Sequence, residues 1–241
     1  MIVQACLNGA RPNDFHPALP VSVHEIAADG ARCVAQGAAE LHVHPRDGDG
    51  RESLAAVDEV VRALRKTCPG TLVGVSTGAW IEGSIPETRK RIAAWRALPD
   101  YASVNLAEED APTVMALLER IDVGIEAGLA TVADAERFAS LPQRTRAFRI
   151  LLEIEHGTLS EGDATVDGIC RVLDRAGVSR PLLLHGFDET VWHFVERARR
   201  ERWSTRIGLE DGAHLRNGDL AADNSALVTE AIALYRDYGS P

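Results

Sequence analysis

Two histidines one residue apart are the most chemically suggestive feature of the 241-residue chain. They lie in Glu40-Leu41-His42-Val43-His44-Pro45-Arg46, whose first half alternates like a strand and which Pro45 closes. Side chains at i and i+2 of a strand share a face, so His42 and His44 leave together, with Cβ atoms roughly 7 Å apart. Two neutral imidazoles at that spacing can converge on one ion, and imidazole suits zinc. The plainer alternative is a pair of polar residues at a strand end, and a third ligand would decide between them.

A second stretch near the other end of the chain offers one. In Arg206-Ile207-Gly208-Leu209-Glu210-Asp211, period-two alternation puts Arg206, Gly208 and Glu210 on one face and Ile207 and Leu209 on the other. Glu210 at a strand's mouth would complete a His2Glu site with an open position, the arrangement of a catalytic rather than a structural zinc. Asp211 lies one step into the loop, where alternation no longer constrains it. An inward Arg206–Glu210 ion pair with Asp211 capping a turn is the competing reading.

The elements that must position these residues follow in strict alternation. Strands are expected at 2–6, 40–44, 71–76, 101–105, 121–125, 147–154, 181–185 and 204–209. Helices are expected at 22–37, 53–67, 86–98, 111–118, 131–140, 162–176, 188–200 and 220–235. The 53–67 helix carries Val57, Val60, Val61 and Leu64 on one stripe. Eight strand–helix pairs of about 30 residues predict a (β/α)8 TIM barrel as a single domain over residues 1–241. An open doubly wound sheet would show a Gly-x-Gly-x-x-Gly turn after its first strand, which Asn8-Gly9-Ala10 does not match.

A barrel gathers its reactive groups at the C-terminal strand ends. Beyond those already named, these ends offer Arg46, Ser76, Thr77, Asn105, Glu108, Glu126, Glu153, Glu155, His156 and His185. Composition narrows the partners. The net charge of −10 argues against nucleic acid. No apolar run approaches the roughly 20 residues of a membrane span, and the first six residues lack a signal-peptide pattern. Cys6, Cys33, Cys68 and Cys170 are scattered without a Cys-x-x-Cys, which predicts reduced thiols and a cytoplasmic setting.

The combination of pieces resembles the β-keto acid cleavage enzymes. Asn8-Gly9-Ala10, Gly37-Ala38-Ala39 ahead of the His42–Arg46 stretch, Ser76-Thr77-Gly78, the Arg206–Asp211 stretch and Asn224-Ser225-Ala226-Leu227-Val228 match in order from one end to the other. The resemblance implies a zinc-dependent barrel, usually a homo-oligomer. It implies a reaction of a β-keto acid with acetyl-CoA that returns acetoacetate and a new acyl-CoA. By position it makes His42, His44 and Glu210 the Zn2+ ligands, Asp211 the general base, Arg206 the charge-stabilising arginine and Ser76 a helper hydroxyl. Arg46, Thr77, Asn105, Glu108 and Arg11 are then candidates for substrate contacts.

The chain departs from the family pattern in being shorter, mainly between strands four and five. It also departs at Glu108, at Arg11 and at the strand-six end Glu153-Ile154-Glu155-His156. Arg11 in place of a carboxylate favours an anionic substrate tail. The competing functions are a zinc hydrolase using metal-bound water and a barrel that binds without turnover.

Other residues carry lesser expectations. Glu40 is expected to pair with Arg206, and His16, His24 and His214 to lie at the surface. His185 suits either the pocket or the core. Trp80 is a candidate pocket wall, Trp95, Trp192 and Trp203 are packing residues, and the basic run 197–202 is read as a solvated helix end.

Overall fold

The computed structural model describes residues 1–155 and 157–236. In chain order the elements are β1 (Val3–Cys6), α1 (Val23–Gln36), β2 (Glu40–Val43), α2 (Val57–Thr67), β3 (Leu72–Ser76), α3 (Ala79–Glu82), α4 (Ile85–Ala94) and β4 (Tyr101–Asn105). They continue as α5 (Ala111–Arg120), β5 (Gly124–Leu129), α6 (Val132–Ser140), β6 (Arg149–Ile154), α7 (Leu159–Arg175), β7 (Leu182–Gly186), α8 (Val191–Arg200), β8 (Ser204–Ile207) and α9 (Asn224–Arg236). The eight strands are parallel and close in sequence order, β8 returning to pair with β1 at Gln4↔Arg206. This is the (β/α)8 barrel that the alternation predicts.

Local chemistry accounts for the elements. Ser22 and Glu25 form a capping box at the start of α1, and Gly37 ends it in the left-handed conformation. The predicted stripe Val57, Val60, Val61 and Leu64 is the buried face of α2. It packs in an apolar layer with outward strand residues such as Leu41, Val43, Val73 and Val75. The intervening strand residues face the barrel axis, and there the filling is mainly polar, with Leu151 and Leu183 among it.

Two expectations about strands are corrected. The fifth strand begins at Gly124, not at residue 121, because Asp122 takes a left-handed turn (φ 60°) ahead of it. Glu126 therefore sits in mid-strand, fully buried, instead of at the mouth. The eighth strand ends at Ile207, and 208–212 turn back on themselves through Asp211 N–H and Gly212 N–H bonds to the Gly208 carbonyl (2.9 and 3.0 Å).

The barrel floor is built on Arg149. Its guanidinium donates to Glu40 Oε2 (2.6 Å) and to Glu126 Oε2, and lies over the rings of Tyr101 and Phe148 (4.8 and 5.1 Å to their centroids). Glu40 thus pairs with Arg149 and not with Arg206 as expected, since the floor residue reaches it first. His16 is likewise buried, bonded to the Ala221 carbonyl (2.9 Å), whereas His24 and His214 are exposed. Arg197 is no solvated residue either: it is buried and paired with Asp163 and Asp167 of α7.

Candidate metal centre at the barrel mouth

His42 lies on β2 and His44 just beyond its end, with ring centroids 5.3 Å apart and planes at 72°. Asn8 fixes the His44 backbone. Its side chain accepts from His44 N–H (2.9 Å) and donates to the carbonyls of His44 and Pro20 (3.0 and 3.1 Å). Glu210 arrives from the β8 turn. Asn224 holds that turn by accepting from Leu209 N–H (2.6 Å) while donating to the Leu7 carbonyl (2.8 Å) and Asp29 (2.6 Å). Gly9 (φ 53°) makes room, because a Cβ there would stand 2.4 Å from Glu210 Cγ.

The result is a three-ligand corner. Glu210 Oε1 stands 3.9 Å from His42 Nε2 and 3.5 Å from His44 Nε2. One ligand atom from each of the three lies within 4.8 Å of the others, and all three residues are buried. The donor set fits a divalent ion. Two imidazoles and a carboxylate are a catalytic zinc set, and Glu210 Oε2 is a buried oxygen with no hydrogen-bond partner.

Charges around the corner favour the ligating forms of His42 and Glu210 but keep His44 protonated until an ion displaces its proton. Burial holds His42 low, at about 4, so its ring is neutral. Burial also opposes charge on His44, but Glu210 and Glu52 outweigh it and raise that ring to about 9 in the metal-free protein. Burial would raise Glu210, yet Arg206 and the two histidines pull its carboxyl well below the ordinary range. Arg206 Nη2 donates to Glu210 Oε1 (2.6 Å) and to Asp211 Oδ1 (2.8 Å), and Nε donates to the same Asp211 oxygen (3.1 Å).

A cavity of about 380 Å³ opens over the corner. Ser76, Ser103 and Asn105 line one side and Glu153 and Glu155 another, with Trp80 and Phe187 at the rim. Of the residues singled out in the sequence, His42, His44, Glu210, Arg206, Ser76, Asn105, Arg11, Trp80, Glu153 and Glu155 line it. Arg11, however, donates through Nε and Nη2 to the Glu210 and Asp211 carbonyls (3.0 and 3.2 Å) and to Asp188 (2.6 Å). Its charge is met by Asp188, which counts against the anionic-tail expectation.

Four of the residues stand off the cavity. Asp211 is fully buried, its Oδ1 held by Arg206 and 3.1 Å from His185 Nδ1, while its Oδ2 has no partner. Thr77 gives its hydroxyl to the Ser103 carbonyl (2.6 Å). Arg46 is a strut between loops, donating to Asn13 and to the carbonyls of Gly9 (2.9 Å), Arg11 (2.7 Å) and Gly50 (3.2 Å). Glu108 accepts from Ala79 N–H (2.9 Å), and burial raises its carboxyl.

His185 is a core residue between Asp211 and Glu153, 3.8 Å from the latter. His156 lies outside the described residues. Ser103 and Glu52 went unnoticed in the sequence. Ser103 was within reach, since it shares a strand face with Asn105. Glu52 carried no signal, because it comes from a loop.

Comparison with known proteins adds to this. A family model described as "beta-keto acid cleavage enzyme" matches residues 1–241. The chain is similar to a 3-oxoadipate:acetyl-CoA acetyltransferase of Cupriavidus necator, 25% identical over 268 residues, covering 100% of this chain and 90% of that one. It is also similar to a 3-keto-5-aminohexanoate cleavage enzyme of Fusobacterium nucleatum, 24% identical over 267 residues, covering 99% and 92%.

Among solved structures, the ternary complex of ObcA with C4-CoA adduct and oxalate superposes with a TM-score of 0.73 at 15% identity, covering 93% of this chain and 65% of that one. The 3-dehydroquinate dehydratase of Geobacillus kaustophilus gives a TM-score of 0.63 at 12% identity, covering 99% and 92%. These two likenesses show a shared barrel fold.

Proposed function

The chain belongs to the β-keto acid cleavage enzyme family, and on that basis we propose that it is a zinc-dependent acyltransferase converting a β-keto acid and acetyl-CoA into acetoacetate and a new acyl-CoA. The observation that carries this reading is the buried His42–His44–Glu210 corner beneath a cavity. A zinc ion there would act as a Lewis acid, stabilising negative charge on the substrate's carbonyl oxygen.

The chain's own groups supply the rest. Asp211 is the base that takes a proton from C2, the carbon between the ketone and the carboxylate. Arg206, with two donors on Asp211 Oδ1, aims that carboxylate, leaving Oδ2 without a protein partner. C2 then attacks the thioester carbonyl of acetyl-CoA and the CoA thiolate leaves. The thiolate attacks the ketone carbon C3, the C2–C3 bond breaks, and C2 recovers the proton from Asp211. Ser76 and Asn105 line the cavity where substrate oxygens would lie, and hydrogen-bond them.

Incubation with β-keto acids bearing neutral, aminated or carboxylated tails, with and without acetyl-CoA, tests this. Mass detection of acetoacetate together with a new acyl-CoA is the expected result. Turnover that proceeds equally without the thioester would instead identify a metal hydrolase.

A further inference from the structure

The two imidazoles of the corner are held unequally. His42 Nδ1 is buried without a hydrogen-bond partner. His44 Nδ1 instead meets Glu52 Oε1 at 2.8 Å, while its Nε2 faces Glu210. The other oxygen of the same carboxylate, Glu52 Oε2, accepts from the indole Nε1 of Trp80 at 2.5 Å. The Trp80 ring stacks over His44 with centroids 6.5 Å apart and planes at 22°.

The loop that brings Glu52 here is shaped for that return. Asp47 and Gly50 close a turn, and Asp47 N–H bonds back to the Arg51 carbonyl (2.8 Å). Arg46 and Glu52 then pair as an isolated antiparallel bridge, which turns Glu52 onto a histidine eight positions earlier. Arg46 anchors the base of the loop, and Glu82 Oε1 joins it to α3, which carries Trp80, by accepting from Leu54 N–H (2.9 Å).

We propose that Glu52 is a positioning residue whose carboxylate fixes the His44 ring with Nε2 toward the metal and anchors Trp80 as the cavity wall above it. A metal-bound imidazole needs its far nitrogen to carry the proton, and an acceptor there sets both tautomer and ring orientation. His44 is then the pre-oriented ligand of the pair, and His42 settles when the ion arrives. The inference rests on the metal-centre reading above.

Zinc titration of the chelator-stripped full chain, against a competing chelator, tests it without any substrate. Glu52→Ala should weaken zinc binding about 10–100-fold. Glu52→Gln keeps an oxygen for Nδ1–H and should recover most of the affinity. Trp80→Phe keeps the ring and should leave affinity nearly unchanged. Nitrogen-15 NMR of the zinc-loaded wild type should show His44 protonated at Nδ1, a readout that holds even if Glu52→Ala fails to fold.

Wild-type affinity in Glu52→Ala, or a His44 ring bare at Nδ1, would overturn the inference and leave the metal centre standing. A wild type that takes up no zinc would overturn the metal-centre reading itself, and the role of Glu52 with it.

Discussion

The floor and the mouth of this barrel are both built from buried charge, yet they are finished differently. At the floor Arg149 is enclosed by Glu40, Glu126 and two aromatic rings, and one Glu126 oxygen alone lacks a partner. At the mouth three buried atoms of the proposed site have none among the described residues: His42 Nδ1, Glu210 Oε2 and Asp211 Oδ2. Leaving a buried polar atom unmade costs about 1–3 kcal/mol. The floor uses its charges to hold strands together, whereas the mouth keeps atoms open for something that binds.

The contrast implies that substitutions at the mouth should cost activity and those at the floor stability. His44→Ala is the most severe mouth change. It should lose the metal and lower turnover by about a thousandfold or more, equivalent to several kcal/mol of charge stabilisation, as read by metal analysis and a steady-state assay. Asp211→Asn should keep the metal but lower kcat by about 10²–10⁴. Glu153→Gln should lose less, although Glu153 lines the cavity and Asp211 does not. The reverse order would move the base to β6.

At the floor, Arg149→Met leaves Glu40 and Glu126 buried without their cation. Denaturant unfolding should show a loss of about 3–5 kcal/mol, with the zinc affinity of the folded fraction unchanged. If that variant instead lost zinc at full stability, the division between the two ends would be wrong.

A further effect is one of pH. The His44 ring is raised to about 9 in the folded metal-free protein. Its contribution to stability is therefore full below an unfolded value of about 6.5 and fades as pH rises through about 9. Zinc must displace that proton, so zinc affinity should climb by up to about tenfold per pH unit across the same window and then level off.

Much of this was legible in the sequence, for identifiable reasons. Alternation and stripe patterns such as that of α2 carried the barrel, because each side chain's face follows from local period alone. The three proposed ligands were legible because His42 and His44 share a strand face. Glu210, however, reached the corner by a turn held by Asn224, not by the strand alternation that pointed to it.

What stayed hidden depends on contacts across the fold. The Glu40 partner is decided by Arg149, 109 residues away. Arg46 looks like a substrate contact in a motif but serves as a strut, because three carbonyls surround it. Arg11 looks like a free cation until Asp188 meets it from the β7 side. Glu52 is brought to His44 by a loop whose course no periodicity reveals.

The central claim is that His42, His44 and Glu210 hold one divalent ion at the barrel mouth. X-ray absorption at the zinc edge of the zinc-loaded protein tests it most directly. The account predicts a four-coordinate shell of nitrogen and oxygen at about 2.0–2.1 Å with outer scattering from two imidazoles. A shell containing sulfur at about 2.3 Å, or one without imidazole scattering, would contradict it.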